Sequence, residues 1–375
     1  MRERTRIYAL IAWLAVVSPA SSQLRQSRAS SPEINPDRRV TFRLQAPNAS
    51  QVKLWGEWIT RANTVENLVR DSDGTWVVTV GPLDPGIYAY SFRVDGLRVL
   101  DPRNPMVKTG RDGADANLFE VSGNSPAFYN PRAVPQGTVH LHAYESSTGL
   151  GQRRVVVYTP ADYLVNRRAR YPVLYLLHGS GDTETGWTDV GRAHVIADNL
   201  IAEKRARPMI IVMPQGHSAP PGRPEENPMR NGELVEQDLL TDVLPLVEKV
   251  YRVEKRGKDR GIAGLSMGGF QALAFGLKHP DKFHHIGIFS AGVYGMEGEK
   301  QLLDSVRLRK LASPSGLFWI GIGDRDFLLK NAQRLDAMLT EQDIKHDYMM
   351  KANAGHTWLF WRECLVEFLP KLFRE

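Results

Sequence analysis

The chain has 375 residues, 48 Lys and Arg against 42 Asp and Glu, a formal charge of +6 and a single cysteine. That length supports about two domains at roughly 150 residues each. The mild charge, with no nucleic-acid-binding motif and no aromatic residues interleaved among the basic ones, points away from a nucleic-acid partner. Cys364 alone excludes an intrachain disulfide and a Cys-rich metal site, and the His284-His285 pair lacks metal-ligand spacing with other donors. No metal and no cofactor are expected.

Residues 1–22 read as a signal peptide, with a basic head at Arg2, Arg4 and Arg6, an apolar stretch over 7–17, and the small residues Ser18-Pro19-Ala20-Ser21-Ser22 suited to cleavage. The apolar stretch is short for a membrane span, so the expectation is a secreted or periplasmic chain with no membrane partner in its mature form. Removing Arg2, Arg4, Arg6 and Glu3 leaves 45 basic against 41 acidic residues, or +4.

Residues 36–122 carry short β-rich runs, Val40 to Leu44, Val52 to Trp55, Thr75 to Val80 and Ile87 to Val94, separated by Ala46-Pro47-Asn48, Asp73-Gly74, Asp84-Pro85-Gly86 and Asp95-Gly96. Alternation bounded by such turn signals predicts a small all-β sandwich. Residues 123–136, rich in Pro, Gly and Asn, predict a linker to a second domain over 137–375.

In that second part, Val139 to Tyr144 and Gln152 to Tyr158 read as leading antiparallel strands. The apolar run Tyr171 to Leu177 reads as a buried parallel strand. Ala193, Ile196, Ala197, Leu200 and Ile201 recur at the helical period, and Ile210 to Met213 is the next strand. Pro214 to Leu234 predicts a long loop that either walls or covers a site or is a disordered surface excursion, and Leu239 to Val247 a helix bent at Pro245. Arg260 to Ala263 is a short strand, Phe270 to Lys278 a helix ending before His279-Pro280, and Phe318 to Ile322 and Tyr348 to Met350 are the last strands. Trp187 and Trp358 lie near the motif loops, Trp358 and Trp361 are expected in the core, and Cys364 in the last helix. Strands alternating with helices predict an α/β domain, a largely parallel sheet covered on both faces with its functional loops at the carboxyl edge.

The chemistry concentrates at three places. Gly264-Leu265-Ser266-Met267-Gly268 is a G-x-S-x-G elbow between a strand and a helix, where glycines give clearance to a serine on a strained turn. Carboxylates follow at Asp324 and Asp326, and then Gly355-His356-Thr357-Trp358. Serine, acid and histidine in that order is the order of α/β-hydrolases. A serine hydroxyl attacks only when an imidazole takes its proton and a carboxylate orients that imidazole. This makes Ser266 the candidate nucleophile and His356 the candidate base. The loop His178-Gly179-Ser180-Gly181 is the candidate oxyanion loop. The Met267 amide would donate together with that of Gly179 or Ser180, and Ser180 is preferred.

From about Gly137 onward the chain resembles the esterase D family, above all its secreted feruloyl and acetyl-xylan esterase branch. The resemblance is carried by Tyr-Leu-Leu-His-Gly at 175–179, Ala197-Asp198-Asn199-Leu200-Ile201, Met213-Pro214-Gln215-Gly216-His217, the elbow, and Gly355-His356-Thr357-Trp358 with Trp361-Arg362. It implies an α/β-hydrolase fold, a Ser266, His356 and Asp catalytic set, and ester substrates of plant cell-wall polysaccharide. The family places its acid a few residues after a strand-ending glycine, which favours Asp326, with Asp324 the alternative. Residues 36–122 resemble early-set immunoglobulin-like modules of the glycogen-binding carbohydrate-binding family, through Ala-Pro-Asn, Trp-Gly-Glu-Trp, Pro-Gly-Ile-Tyr and Val-Asp-Gly. Trp58 falls where that family has a glycan-stacking tryptophan and is the candidate glycan contact, but Leu97-Arg98 stand where the second would be. Packing of the sandwich against the hydrolase is the competing role. Enterochelin esterases also join an N-terminal β domain to such a hydrolase, so a siderophore esterase is the alternative. A catalytically idle carbohydrate-binding protein is the alternative of another class.

Overall fold

The computed structural model describes residues 30–59, 65–219, 228–293, 303–306 and 316–374; the expected signal peptide and part of the Pro214 to Leu234 loop lie outside the described residues. The N-terminal region is all β. Strands β1 (Glu33–Ile34), β2 (Val40–Gln45), β3 (Val52–Gly56), β4 (Glu66–Asn67), β5 (Val69–Arg70), β6 (Thr75–Val80), β7 (Gly86–Val94), β8 (Leu97–Val99), β9 (Val107–Gly110) and β10 (Gly113–Val121) form two sheets. One has the order β1-β2-β6-β5; the other runs β4-β3-β7-β10-β9, with β8 beside β7. The β7–β8 turn is the Asp95-Gly96 pair, both at positive φ (48° and 91°), as a tight hairpin requires. Asp95 also accepts the Ser50 and Gln51 amides. Phe42, Leu44, Val52, Leu54, Tyr90, Phe92 and Phe119 fill the space between the sheets.

Strand β7 is buried over seven successive residues, where a half-exposed sandwich strand would alternate. The cause is a second contact. Tyr88, Tyr90 and Phe92 point into the sandwich, while Ile87 and Ala89, with Ala116 and Leu118 of β10, enter a core shared with the second domain.

That domain holds an eight-stranded mixed sheet of β11 (Thr138–Ser146), β12 (Gly151–Thr159), β13 (Val173–Leu177), β14 (Ile210–Pro214), β15 (Arg260–Leu265), β16 (His285–Phe289), β17 (Phe318–Gly323) and β18 (Asp347–Lys351), ordered β11-β12-β14-β13-β15-β16-β17-β18. Strands β11 and β12 pair antiparallel, β12 lies antiparallel to β14, and the rest are parallel. Helices α1 (Gly186–Asp189), α2 (Ala193–Ala202), α3 (Pro228–Asp238), α4 (Leu244–Val250), α5 (Met267–Lys278), α6 (Leu329–Glu341) and α7 (Trp358–Phe368) also belong to it. The two-residue period of a strand divides the core. Val173, Tyr175 and Leu177 face α3, α4, α5 and α6, while Leu174 and Leu176 face α2 and α7. This is an α/β-hydrolase architecture behind a small β sandwich.

Two expectations change. Residues 228–234 are helical rather than loop, forming the start of α3. The bend at Pro245 is realised as a π-helical turn over Leu239–Val243 that runs into α4; proline has no N–H for the ordinary helical bond, and widening the turn absorbs the loss. Trp187, Trp358 and Trp361 are buried, as is Cys364 on α7.

Candidate active site

Strand β15 ends at Leu265, α5 begins at Met267, and Ser266 joins them with φ 51° and ψ −119°. A side chain rarely adopts that conformation; here the Ser266 amide is held by the Phe289 carbonyl at 2.9 Å. The tight turn needs bare neighbours. A Cβ on Gly268 would lie 2.5 Å from the His178 carbonyl oxygen, and one on Gly264 2.3 Å from that of Gly268.

The structure brings Ser266, His356 and Asp326 into one hydrogen-bonded line. His356 Nε2 lies 2.9 Å from Ser266 Oγ, and its Nδ1 lies 3.0 Å from both carboxylate oxygens of Asp326. Asp326 comes from the turn after β17 and is buried. It also accepts the Leu328 amide at 2.9 Å and the Ser290 hydroxyl. Burial works against its charge, but the His356 ring, the Leu328 amide and Ser290 outweigh it and hold the carboxyl below its usual value. Asp324 is exposed, two residues away. Its neighbour Arg325 reaches the side chain of Asn353.

Ser290 was not legible from any motif. It follows β16 at positive φ (52°), is fully buried, and takes the Trp361 indole N–H at 2.8 Å. Trp361 in turn lies edge-on to the His356 ring, while Phe327, largely exposed, tilts over it at 4.4 Å between centroids. The imidazole is therefore in contact with one buried indole and one exposed aromatic ring.

The candidate oxyanion loop follows β13. Met267 opens α5, so its amide is among the first-turn donors that no helical carbonyl can satisfy, and the helix dipole favours negative charge there. A Cβ on Gly179 would stand 3.6 Å from Ser266 Cβ, which places the loop directly against the serine. Ser180 sits exposed at its crest. Below it, His178 Nδ1 donates to the Gly179 carbonyl and Nε2 accepts the Gly216 amide, both at 2.8 Å. Burial, with His217 nearby, pushes His178 down from its ordinary value, so it stays neutral and structural. Arg153 ties down the neighbouring 215–217 segment, donating to the Gln215 and His217 carbonyls while paired with Asp238 at 3.0 Å.

Trp58 belongs to the β region and is half-buried against the sandwich core. Its indole stacks on Phe42 at 5.5 Å and meets Tyr88 and Phe119 edge-on. It closes over Gly56, which has no side chain to obstruct it. Among the described residues, no group of three or more His, Cys, Asp or Glu side chains is disposed to hold a metal ion, and no helix is long and apolar enough to cross a membrane.

Comparison with known proteins places these observations. The Esterase family model, described as "Putative esterase", matches residues 146–372. An endo-1,4-beta-xylanase/feruloyl esterase of Xylanibacter ruminicola is 28% identical over 358 residues, 92% of this chain and 46% of that protein. The chain thus spans less than half the length of that relative. A solved ferulic acid esterase superposes with a TM-score of 0.55 at 28% identity, over 63% of this chain and 97% of its own. The enterobactin esterase of Shigella flexneri, solved with enterobactin, superposes with a TM-score of 0.68 at 18% identity, over 95% of this chain and 99% of its own; at that identity the likeness is one of fold.

Proposed function

The chain belongs to the esterase family, and from that premise we propose that it is a serine carboxylic-ester hydrolase acting on feruloyl or acetyl esters of plant cell-wall polysaccharide. The observation that carries the chemistry is the unbroken line from Ser266 Oγ through His356 to Asp326, with spacings of 2.9 and 3.0 Å.

In the proposed cycle His356 Nε2 takes the hydroxyl proton as Ser266 Oγ bonds to the ester carbonyl carbon. Negative charge gathers on the carbonyl oxygen, where the amides of Met267 and Ser180 receive it. The tetrahedral species collapses, the carbon–alkoxy bond breaks, and His356 returns the proton to the departing alcohol. Water, deprotonated by His356, then attacks the acyl-enzyme, releasing the acid and restoring Ser266. Asp326 stays ionised throughout, holding the ring in the tautomer with its proton on Nδ1.

Substrate class rests on the relatives, one a xylanase/feruloyl esterase and one a ferulic acid esterase, and on exposed Phe327 beside His356, which offers a stacking face to an aromatic acyl group. Residues 1–22 are proposed as an export leader, 36–122 as an immunoglobulin-like module of carbohydrate-binding resemblance, and 123–136 as its linker to the hydrolase. Packing against the hydrolase is the role proposed for 36–122, with a glycan contact at half-buried Trp58 as the alternative.

A second assignment, a siderophore esterase, is favoured by one observation: the enterobactin esterase fold overlays 95% of the chain, the β region included. The test is hydrolysis of methyl ferulate, p-nitrophenyl acetate and a cyclic catechol-serine ester by wild type and Ser266→Ala. Ferulate release lost in the variant supports the first assignment. Turnover of the catechol ester alone would replace it with the second.

A further inference from the structure

The N-terminal β region reaches two catalytic loops: Glu57 accepts the Trp358 amide, two residues past His356, at 3.4 Å, and β9 meets the oxyanion loop. Lys108 on β9 is buried and pairs with buried Asp182, in the loop carrying Gly179 and Ser180, at 2.9 Å between Nζ and Oδ1. One residue past β9, the Arg111 amide donates to the Gly181 carbonyl at 3.2 Å. Gly110 allows this approach: a Cβ there would stand 2.7 Å from the Gly181 oxygen. The loop's own turn closes through the Asp182 amide on the Gly179 carbonyl at 3.1 Å. The main chain that presents the Ser180 amide is therefore clamped at the Gly181 carbonyl and the Asp182 carboxylate by one hairpin of the other domain.

We infer that the β9–β10 hairpin is a working part of the active site, with Lys108 and Asp182 as positioning residues that fix the oxyanion loop against Ser266. This rests on the esterase assignment above. Neither residue touches the ester; each acts through the direction of the loop amides. An oxyanion donor matters where charge develops, in the transition state. A loosened loop should therefore lower kcat and leave KM for a small ester nearly unchanged.

The experiment measures p-nitrophenyl acetate turnover by the full chain, with active sites counted by fluorophosphonate labelling. Lys108→Met removes the clamp's charge. Misplacing a catalytic group by about 1 Å can cost about a hundredfold, so kcat per labelled site is expected to fall at least about tenfold with KM within about twofold. A role in stability alone would reduce the number of labelled sites and leave kcat per site intact. Should Lys108→Met fail to fold, Gly110→Ala decides by the same criterion, since its Cβ pushes on the Gly181 carbonyl without leaving a buried charge. An unchanged kcat per site in the folded variant overturns the inference and leaves the esterase assignment standing. A wild-type protein that neither labels nor turns over defeats that assignment instead.

Discussion

Asp326→Asn separates the two candidate acids and puts a number on the geometry. The carboxylate receives three donors, the His356 ring N–H, the Leu328 amide and the Ser290 hydroxyl. An asparagine has one acceptor oxygen and one NH2. His356 Nδ1 lies 3.0 Å from both oxygens, so either orientation sets the NH2 against it, where it favours the tautomer with the proton on Nε2, which can no longer take one from Ser266. One of the two orientations also meets the Leu328 N–H, donor against donor, in a buried pocket. Neither orientation is satisfied, and the wrong tautomer in a serine triad lowers kcat by about 10⁴, equivalent to about 5.5 kcal/mol of barrier. Asp324→Asn changes an exposed group that contributes only its main-chain amide, bonded to the Lys351 carbonyl, and should stay within about twofold of wild type. Initial rates on p-nitrophenyl acetate, with near-ultraviolet circular dichroism to confirm folding, check both. Retention of more than about a tenth of wild-type kcat by Asp326→Asn, against the expected 10⁴-fold loss, would refute the assignment.

Three further outcomes follow from packing and charge. Gly268→Ala drives a methyl to 2.5 Å from the His178 carbonyl oxygen and 2.7 Å from the Leu177 carbonyl carbon, both backbone; it should yield little soluble protein, and a normally folded, active variant would contradict the elbow's packing. Arg362 is fully buried and donates to the Val190 carbonyl in the hydrolase and the Ile87 carbonyl in the β region, at 2.9 and 2.8 Å. Arg362→Met strands both acceptors and removes the charge facing Glu57, so urea denaturation should show a loss of about 3 kcal/mol or more. Burial holds His140, His178 and His194 below their ordinary value. The unfolded chain therefore binds protons that the folded one refuses, and stability should fall as pH drops below about 6.5; equal urea midpoints at neutral and mildly acidic pH would count against this.

How much of this was legible in the sequence depends on the range of the interaction. The elbow, the histidine loop and the strand before the oxyanion loop are local patterns, fixed by periodicity and by glycines that the turn demands. Asp95-Gly96 announced its hairpin for the same reason. The choice between Asp326 and Asp324 turned on which side chain the β17 turn buries, a matter of two residues that spacing alone cannot decide. Ser290, Lys108 and Asp182 were missed, and Arg362 was read only as part of a resemblance, because their partners lie elsewhere in the chain: Lys108 is an unremarkable lysine until β9 is laid against the loop at 182. Strand β16 also escaped, since His284-His285 masks an apolar run of only Ile286 to Phe289. Trp58 falls at a sugar-platform position by spacing, and only the fold brings Phe42 of the facing sheet and Phe119 of its own sheet against its ring.

The central claim, that Ser266 is a nucleophile activated by His356, is tested most directly by incubating the full chain with a fluorophosphonate and mapping the adduct by peptide mass spectrometry. The expected result is one adduct, on Ser266, formed rapidly in wild type and lost in His356→Ala. An adduct on another residue, or equal labelling without His356, would contradict it.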